Sequence, residues 1–246
     1  MVSIDNLESI DTEILLYLAR VAEQSERYDD MISFVKQFVN QADKELSVEE
    51  RNILSVAYKN VVGSRRASWR VLSALEHKEE RKGNSSNKES AAMYKQEVES
   101  ELESLCKEVL FLLEEKLIPK ASSVEARVFY QKMKGDYFRY MCEFVSGGKR
   151  DENAQTAQKS YEEAMKMAEE EMNTTDPIRL GLVLNFSVFH YEITGNRNAA
   201  RQMSQKAFDE AIKDLDNVSE ETYKDSTLIM QLLRDNLQLW NSDEDE

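Results

Sequence analysis

The chain has 246 residues, 47 of them acidic and 32 basic, for a net charge of −15 near neutrality, and 41% are apolar. That apolar content can fill a core, which excludes wholesale disorder, and the acidity argues against long nucleic acid as a partner, because most of the surface would repel it. Seven glycines and two prolines are too little turn chemistry for a β-protein, so an all-α fold is expected.

The N-terminus carries Asp5, Glu8, Asp11 and Glu13 where a secretion signal would need bases, and its apolar run Ile14 to Ala19 is short. No segment approaches the ~18–20 apolar residues that span a bilayer. A pair of N-terminal helices comes first. Ser47 and Glu50 then form a capping box that opens a long helix running past Leu75. Lys82 to Ser90, KGNSSNKES, reads as a loop, and the next helix extends to about Ile118, where Pro119 stops it. A second capping box, Ser122 and Glu125, opens a helix that ends before Gly147 and Gly148. Helices near 151–171 and 197–216 flank one that starts at Asp176 and Pro177 and closes at Gly195. Ser219 opens the last helix, which ends near Trp240. The total is about nine helices in an antiparallel array, a single domain over 1–240 with a short disordered acidic tail at 241–246. No fixed repeat marks a solenoid.

Catalytic signals are weak. His77 lies at a charged helix end and His190 sits between Phe189 and Tyr191, neither in a nucleophile or metal motif. Cys106 and Cys142 fall in helical apolar patterns without metal-type spacing, as core thiols of a reducing compartment would. The chain is therefore expected to be a non-enzymatic protein without metal or cofactor. Its place is the cytoplasm, with the nucleus also open to it, and it does not insert into membranes.

Binding signals are stronger. Arg51 to Arg70, RNILSVAYKNVVGSRRASWR, contains no acid and five bases: Arg51, Lys59, Arg65, Arg66 and Arg70. A basic island in so acidic a chain suits one small concentrated anion, such as a phosphate group. Lys59 and Arg66 are seven apart, which returns a helix to nearly the same face, and Lys132 and Arg139 repeat the spacing with Tyr140 alongside. A guanidinium donates two parallel hydrogen bonds to phosphate, and a phenol adds another donor. Taken singly, each pair reads more simply as an exposed basic stripe balancing neighbouring glutamates.

The last helix carries two apolar stripes, Ile229/Leu233/Leu237 and Leu228/Leu232/Asn236, more than one buried face requires. Leu184, Asn185, Val188 and Glu192 show the same mixture after Pro177. An amide in line with leucines suits an extended peptide, its backbone on the amide and its side chains on the leucines. Ordinary core with a satisfied asparagine remains the simpler account of either segment alone.

Together these segments resemble the 14-3-3 family. The stretch 51–70 matches its first signature and YKDSTLIMQLLRDNLQLW, Tyr223 to Trp240, its second. FYQKMKGDYFRY, Phe129 to Tyr140, and PIRLGLVLNFSVFHYE, Pro177 to Glu192, are similar to its other conserved blocks, so the likeness spans about 13 to 240. The resemblance implies a nine-helix protomer that dimerises, with itself or a related chain, into a cup with one amphipathic groove per protomer. Each groove would bind a phosphoserine or phosphothreonine segment of a client protein. Lys59, Arg66, Arg139 and Tyr140 match the family's phosphate pocket, with Lys132 on its basic side. Asn185 and Asn236 match the amides that hold the ligand main chain, Leu184, Val188, Leu228 and Leu232 the apolar wall, and Glu192 and Trp240 further groove contacts.

At physiological ionic strength a net charge of −15 does not forbid this, because its field is screened over ~8 Å. The implied dimer seam sets Leu15, Leu16, Arg27 and Asp30 of one protomer against Tyr94, Glu97 and Glu101 of the other. Family members often carry lysine where this chain has Glu97, so an ion pair with Asp30 becomes a like-charge pair. Ser68, within Arg65-Arg66-Ala67-Ser68, resembles a basophilic kinase site that the family buries in that seam. Two other readings stay open: a helical scaffold that binds peptides without phosphate, and an enzyme acting on a phosphorylated metabolite.

Overall fold

The computed structural model describes residues 4–242. Nine α-helices and no strand occur among them, and 87% of them are helical, as the composition led us to expect. It divides after Lys120 into two compact units.

The first unit begins with a 3-10 turn, Ile4–Ser9, and holds α1 (Thr12–Gln24), α2 (Tyr28–Gln41), α3 (Val48–Arg81) and α4 (Ser85–Phe111). The capping box forms as expected: the Ser47 hydroxyl accepts from the Glu50 amide, and the Glu50 carboxylate accepts from the Ser47 amide at 2.7 Å. The loop expected over Lys82 to Ser90 is much shorter. Asn84 caps α4 from the preceding position, and Glu79 accepts from the side-chain amides of both Asn84 and Asn87, so helix resumes at Ser85. Pro119 does not end an α-helix either: α4 passes at Leu112 into a π-helical turn, Leu112–Leu117, and Pro119 sits in the 3-10 turn that follows. The core is built from Met31, Phe34, Val35 and Phe38 of α2, Leu54, Tyr58 and Val61 of α3, and Leu102, Cys106 and Val109 of α4. Buried Tyr58 donates to Glu108 at 2.7 Å. Burial, then the Glu108 charge, holds that phenol well above its ordinary pKa, so it stays a donor.

The second unit holds α5 (Val124–Phe144), α6 (Gly147–Glu171), α7 (Pro177–Glu192), α8 (Arg197–Asp214) and α9 (Glu220–Ser242). The cap of α5 is Ser123, whose hydroxyl accepts from the Ala126 amide, one residue later than the expected Ser122. Asp176 caps α7 ahead of Pro177, Gly195 at φ 69° closes the turn after it, and Ser219 caps α9, all as the pattern indicates. Helix α6 begins at Gly147, earlier than the 151 expected, and α9 continues to Ser242. The rest of the expected tail, 243–246, lies outside the described residues.

Two clusters make this unit's core. Ala157, Tyr161, Ala164 and Ala168 of α6 pack on Val128 of α5 and on Leu182, Phe186 and Phe189 of α7. Leu180, Val183, Ala211, Met230 and Leu233 join α7, α8 and α9. Small residues on α6 let α5 approach closely. At the tightest point a Cβ on Gly135 would lie 2.8 Å from the Tyr161 ring, so only glycine fits.

Candidate functional site

The basic island on α3 resolves into different tasks. Arg51 is buried and paired with Glu45 at 3.8 Å, a structural use. Arg65 bridges Asp29 at 2.6 Å and Glu101 at 3.1 Å, tying α2, α3 and α4 together. Burial alone would lower the Arg65 pKa, but its bonds to those two carboxylates raise it. Lys59 is exposed and Arg66 half-buried.

In the second unit, Lys132, Asp136, Arg139 and Tyr140 fall at i, i+4, i+7 and i+8 of α5 and so share one face. Asp136 is the centre. It accepts from Lys132 Nζ at 2.9 Å, from the Tyr161 hydroxyl at 2.6 Å and from Asn185 Nδ2 at 2.8 Å, and Arg139 lies 3.9 Å away. Arg139 also donates from Nε to the Tyr161 oxygen at 3.3 Å, and its guanidinium lies over the Tyr140 ring, 4.7 Å from the centroid.

Charge and burial oppose each other here. Burial alone would push the Asp136 pKa up, but Lys132 and Arg139, with the Tyr161 hydrogen bond, pull it below the usual carboxylate value. The carboxylate is therefore charged near neutrality. Arg139 is only 6% exposed. Burial would lower its pKa too, yet its neighbours hold it above the ordinary guanidinium value, so it stays a cation. Burial, then Asp136, raises the Tyr161 pKa and keeps it a phenol. The net result is a fixed cluster, two cations on one anion, with an excess positive charge and oriented donors. That composition is chemically suited to an anion.

Asn185 sits one residue from Leu184 on α7, with Val188 one turn further along; both apolar residues are half-buried and Glu192 is exposed. On α9 the two expected stripes part company. Leu233 and Leu237 are buried, whereas Leu228 is 66% and Leu232 46% exposed, with half-buried Asn236 in line. The exposed leucines are thus an unfilled apolar face and the other stripe is core. Trp240 is buried, stacked on Tyr191 at 4.8 Å, and its carbonyl accepts from Arg201.

Sequence reasoning missed Asp136 and Tyr161. Asp136 had a signal: it is the single acid in Phe129 to Tyr140, spaced to meet Lys132 and Arg139. Tyr161 had none, because its role depends on α6 packing on α5.

The residues assigned to a seam lie in the first unit. Leu15, expected at the seam, is 0% exposed on this chain; the exposed apolar side chains of α1 are Ile14, Tyr17 and Val21. Leu16 is half-buried. Arg27 pairs with Asp30 on the same chain, and Glu97 is exposed. Tyr94, Glu101 and Ser68 line a groove of about 530 Å³ with Arg65, Val71 and Val98. Ser68 is exposed on this chain, its hydroxyl donating to the Ser64 carbonyl at 3.1 Å.

Among the described residues no helix is long and apolar enough to cross a membrane. The family model described as 14-3-3 protein matches residues 18–241. The chain is 54% identical over 237 residues to the checkpoint signal transducer rad24 of Schizosaccharomyces pombe, covering 96% of this chain and 87% of that one. It is 54% identical over 233 residues to the 14-3-3-like protein GF14 iota of Arabidopsis thaliana, covering 95% and 87%. To 14-3-3 protein 9 of Solanum lycopersicum it is 54% identical over 235 residues, covering 96% and 90%. Nine helices among the described residues, a cationic cluster beside an amide and open leucines, and 54% identity to these relatives over nearly the whole length agree: the chain belongs to the 14-3-3 family.

Proposed function

We propose that this protein binds phosphoserine and phosphothreonine segments of client proteins through Lys59, Arg66, Arg139 and Tyr140. As a 14-3-3 protein it is a non-enzymatic signalling adaptor that recognises phosphorylated motifs. The observation that best supports the residue assignment is the buried Asp136, which fixes Lys132, Arg139 and Asn185 on one polar face. A phosphate brings about −1.5 to −2 charge and three acceptor oxygens, which the cations and the Tyr140 hydroxyl can satisfy; an unmodified serine offers them nothing. Asn185 and Asn236 would hold the client backbone. Leu184, Val188, Leu228 and Leu232 would receive its side chains, with Lys132, Glu192 and Trp240 bordering the path.

Dimerisation, with itself or a related chain, is part of the same proposal. Exposed Ile14, Tyr17 and Val21 on α1, and Val71 and Tyr94 on α3 and α4, would be the apolar contacts. Two grooves on one dimer would raise effective affinity for doubly phosphorylated clients by about 10²–10⁴. Phosphate on Ser68 would place charge beside Glu101 and weaken that seam; a Ser68→Glu variant that stays dimeric at low micromolar concentration removes the switch. The expected compartment is the cytoplasm, where soluble phosphorylated clients are met.

The direct test is fluorescence polarisation of an Arg-Ser-x-phosphoSer-x-Pro peptide and its unphosphorylated twin. Lys59 is exposed, so Lys59→Ala should fold normally and still lose about 10- to 100-fold in affinity, the worth of one charged hydrogen bond. Arg139→Ala should lose at least as much. Equal binding of the two peptides would favour a phosphate-independent scaffold.

A further inference from the structure

Outside the residues assigned to phosphopeptide binding, the second unit contains a half-enclosed cavity of about 290 Å³ between α6, α7 and α8. Met165 of α6, Leu180 and Val183 of α7, and Met203 and Ala207 of α8 line it. None of Arg139, Asn185, Leu228 or Leu232 does. Leu180 and Val183 belong to the core, so the floor is rigid, while the two methionines are unbranched and adapt to a guest's shape. The volume stands at the lower edge of small-molecule sites, about 300–1,000 Å³, which are mostly apolar with a few placed polar groups.

The rim decides the charge of the guest. Arg179 reaches Glu210 at 3.4 Å and donates to the Met172 carbonyl at 2.8 Å. Lys206 lies 3.4 Å from Glu169 and 3.9 Å from Glu210. Two cations and two anions at the mouth are already matched. An anionic guest would have to break these pairs and leave carboxylates facing it, and a cationic guest would do the converse. An uncharged guest leaves them intact. Gln202, exposed at the same rim, offers both an amide donor and a carbonyl acceptor.

We propose that this cavity is a binding site for a small, uncharged, largely apolar molecule of one or two rings carrying a single polar group. It is separate from the phosphopeptide assignment and does not depend on it. The apolar body would displace poorly held water from the floor, and the polar group would face Gln202 and the paired rim.

The test uses N-phenyl-1-naphthylamine, an uncharged probe that fluoresces in apolar surroundings, on the full chain. Wild type should give a saturable fluorescence rise with one site per chain in this cavity. Ala207→Trp, which fills the cavity, should weaken that binding at least tenfold. Should Ala207→Trp fail to fold by circular dichroism, Ala199→Trp at the mouth is the deciding variant. Leu228→Asp/Leu232→Asp, on the open leucine face, should leave binding unchanged, and a saturating phosphopeptide should not displace the probe. Three results would overturn the proposal: no saturable binding, binding untouched by the tryptophan variants, or binding abolished by the aspartates and displaced by phosphopeptide. The last would assign the probe to the leucines of α9. A sulfonated naphthylamine binding as well as the neutral probe would overturn the charge argument.

Discussion

Replacing Asp136 by asparagine keeps the size and shape of the side chain and removes its charge. In the wild type that charge faces Lys132 at 2.9 Å and Arg139 at 3.9 Å, with Tyr161 and Asn185 donating to it. Removing one member of a buried ion pair costs about 3–5 kcal/mol, because the partner stays desolvated and unmatched. The Arg139 side chain is 7% exposed and cannot escape to water; that of Lys132 is 22% exposed and partly can. Asparagine can still accept from Tyr161. The lower end, about 3 kcal/mol, is therefore expected, or a fall of about 6–12 °C in the melting temperature for a chain of this size.

Thermal unfolding followed by circular dichroism measures this, and a cycle with Lys132→Met separates charge from packing. Removing both partners should be milder than removing Asp136 alone, with a coupling of at least about 1 kcal/mol. The pH dependence carries the same signature. The folded-state pKa of Asp136 is below its ordinary value, so its contribution is complete above about pH 4 and is lost as pH falls through the lower folded value. The variant should lack that part of the acid transition. A melting temperature within 2 °C of wild type, or simple additivity in the cycle, would refute the view that this carboxylate holds the site together.

Gly135→Ala should destabilise by about 1–3 kcal/mol, because the new methyl meets the Tyr161 ring at 2.8 Å; thermal melts check it, and reduced phosphopeptide affinity should accompany it as Tyr161 moves off Asp136. Leu233→Ala should cost about 2–5 kcal/mol, whereas Leu232→Ala, at a 46% exposed position, should stay within about 1 kcal/mol yet weaken peptide binding. Urea unfolding and polarisation separate the two. Burial lowers the His190 pKa, partly offset by Glu162, while its ring stacks on Phe186 at 4.5 Å. The folded chain therefore binds a proton there less readily than the unfolded one, and stability should fall as pH drops below about 6.5. His190→Gln should flatten that part of the pH–stability curve.

Local chemistry was written in the residues themselves. Few glycines and prolines, the Ser47 and Glu50 box, the Asp176-Pro177 start and the Gly195 stop act within one turn of their own position, so helix number and most boundaries were legible. One boundary was missed although its signal is local: Asn84 caps α4 and bonds Glu79 five residues back, so helix restarts within a stretch whose composition reads as loop. The basic residues were legible as a group but not in their tasks. The same guanidinium serves as a core ion pair at Arg51, a helix tie at Arg65 and a cation oriented by a buried acid at Arg139. Likewise the two leucine stripes of α9 are equivalent by spacing, and only the packing of α7 and α8 makes one core and leaves the other open. Periodicity records which residues share a face. Whether that face meets solvent, a neighbour or a buried charge depends on residues distant in sequence, and those are brought together by tertiary packing alone.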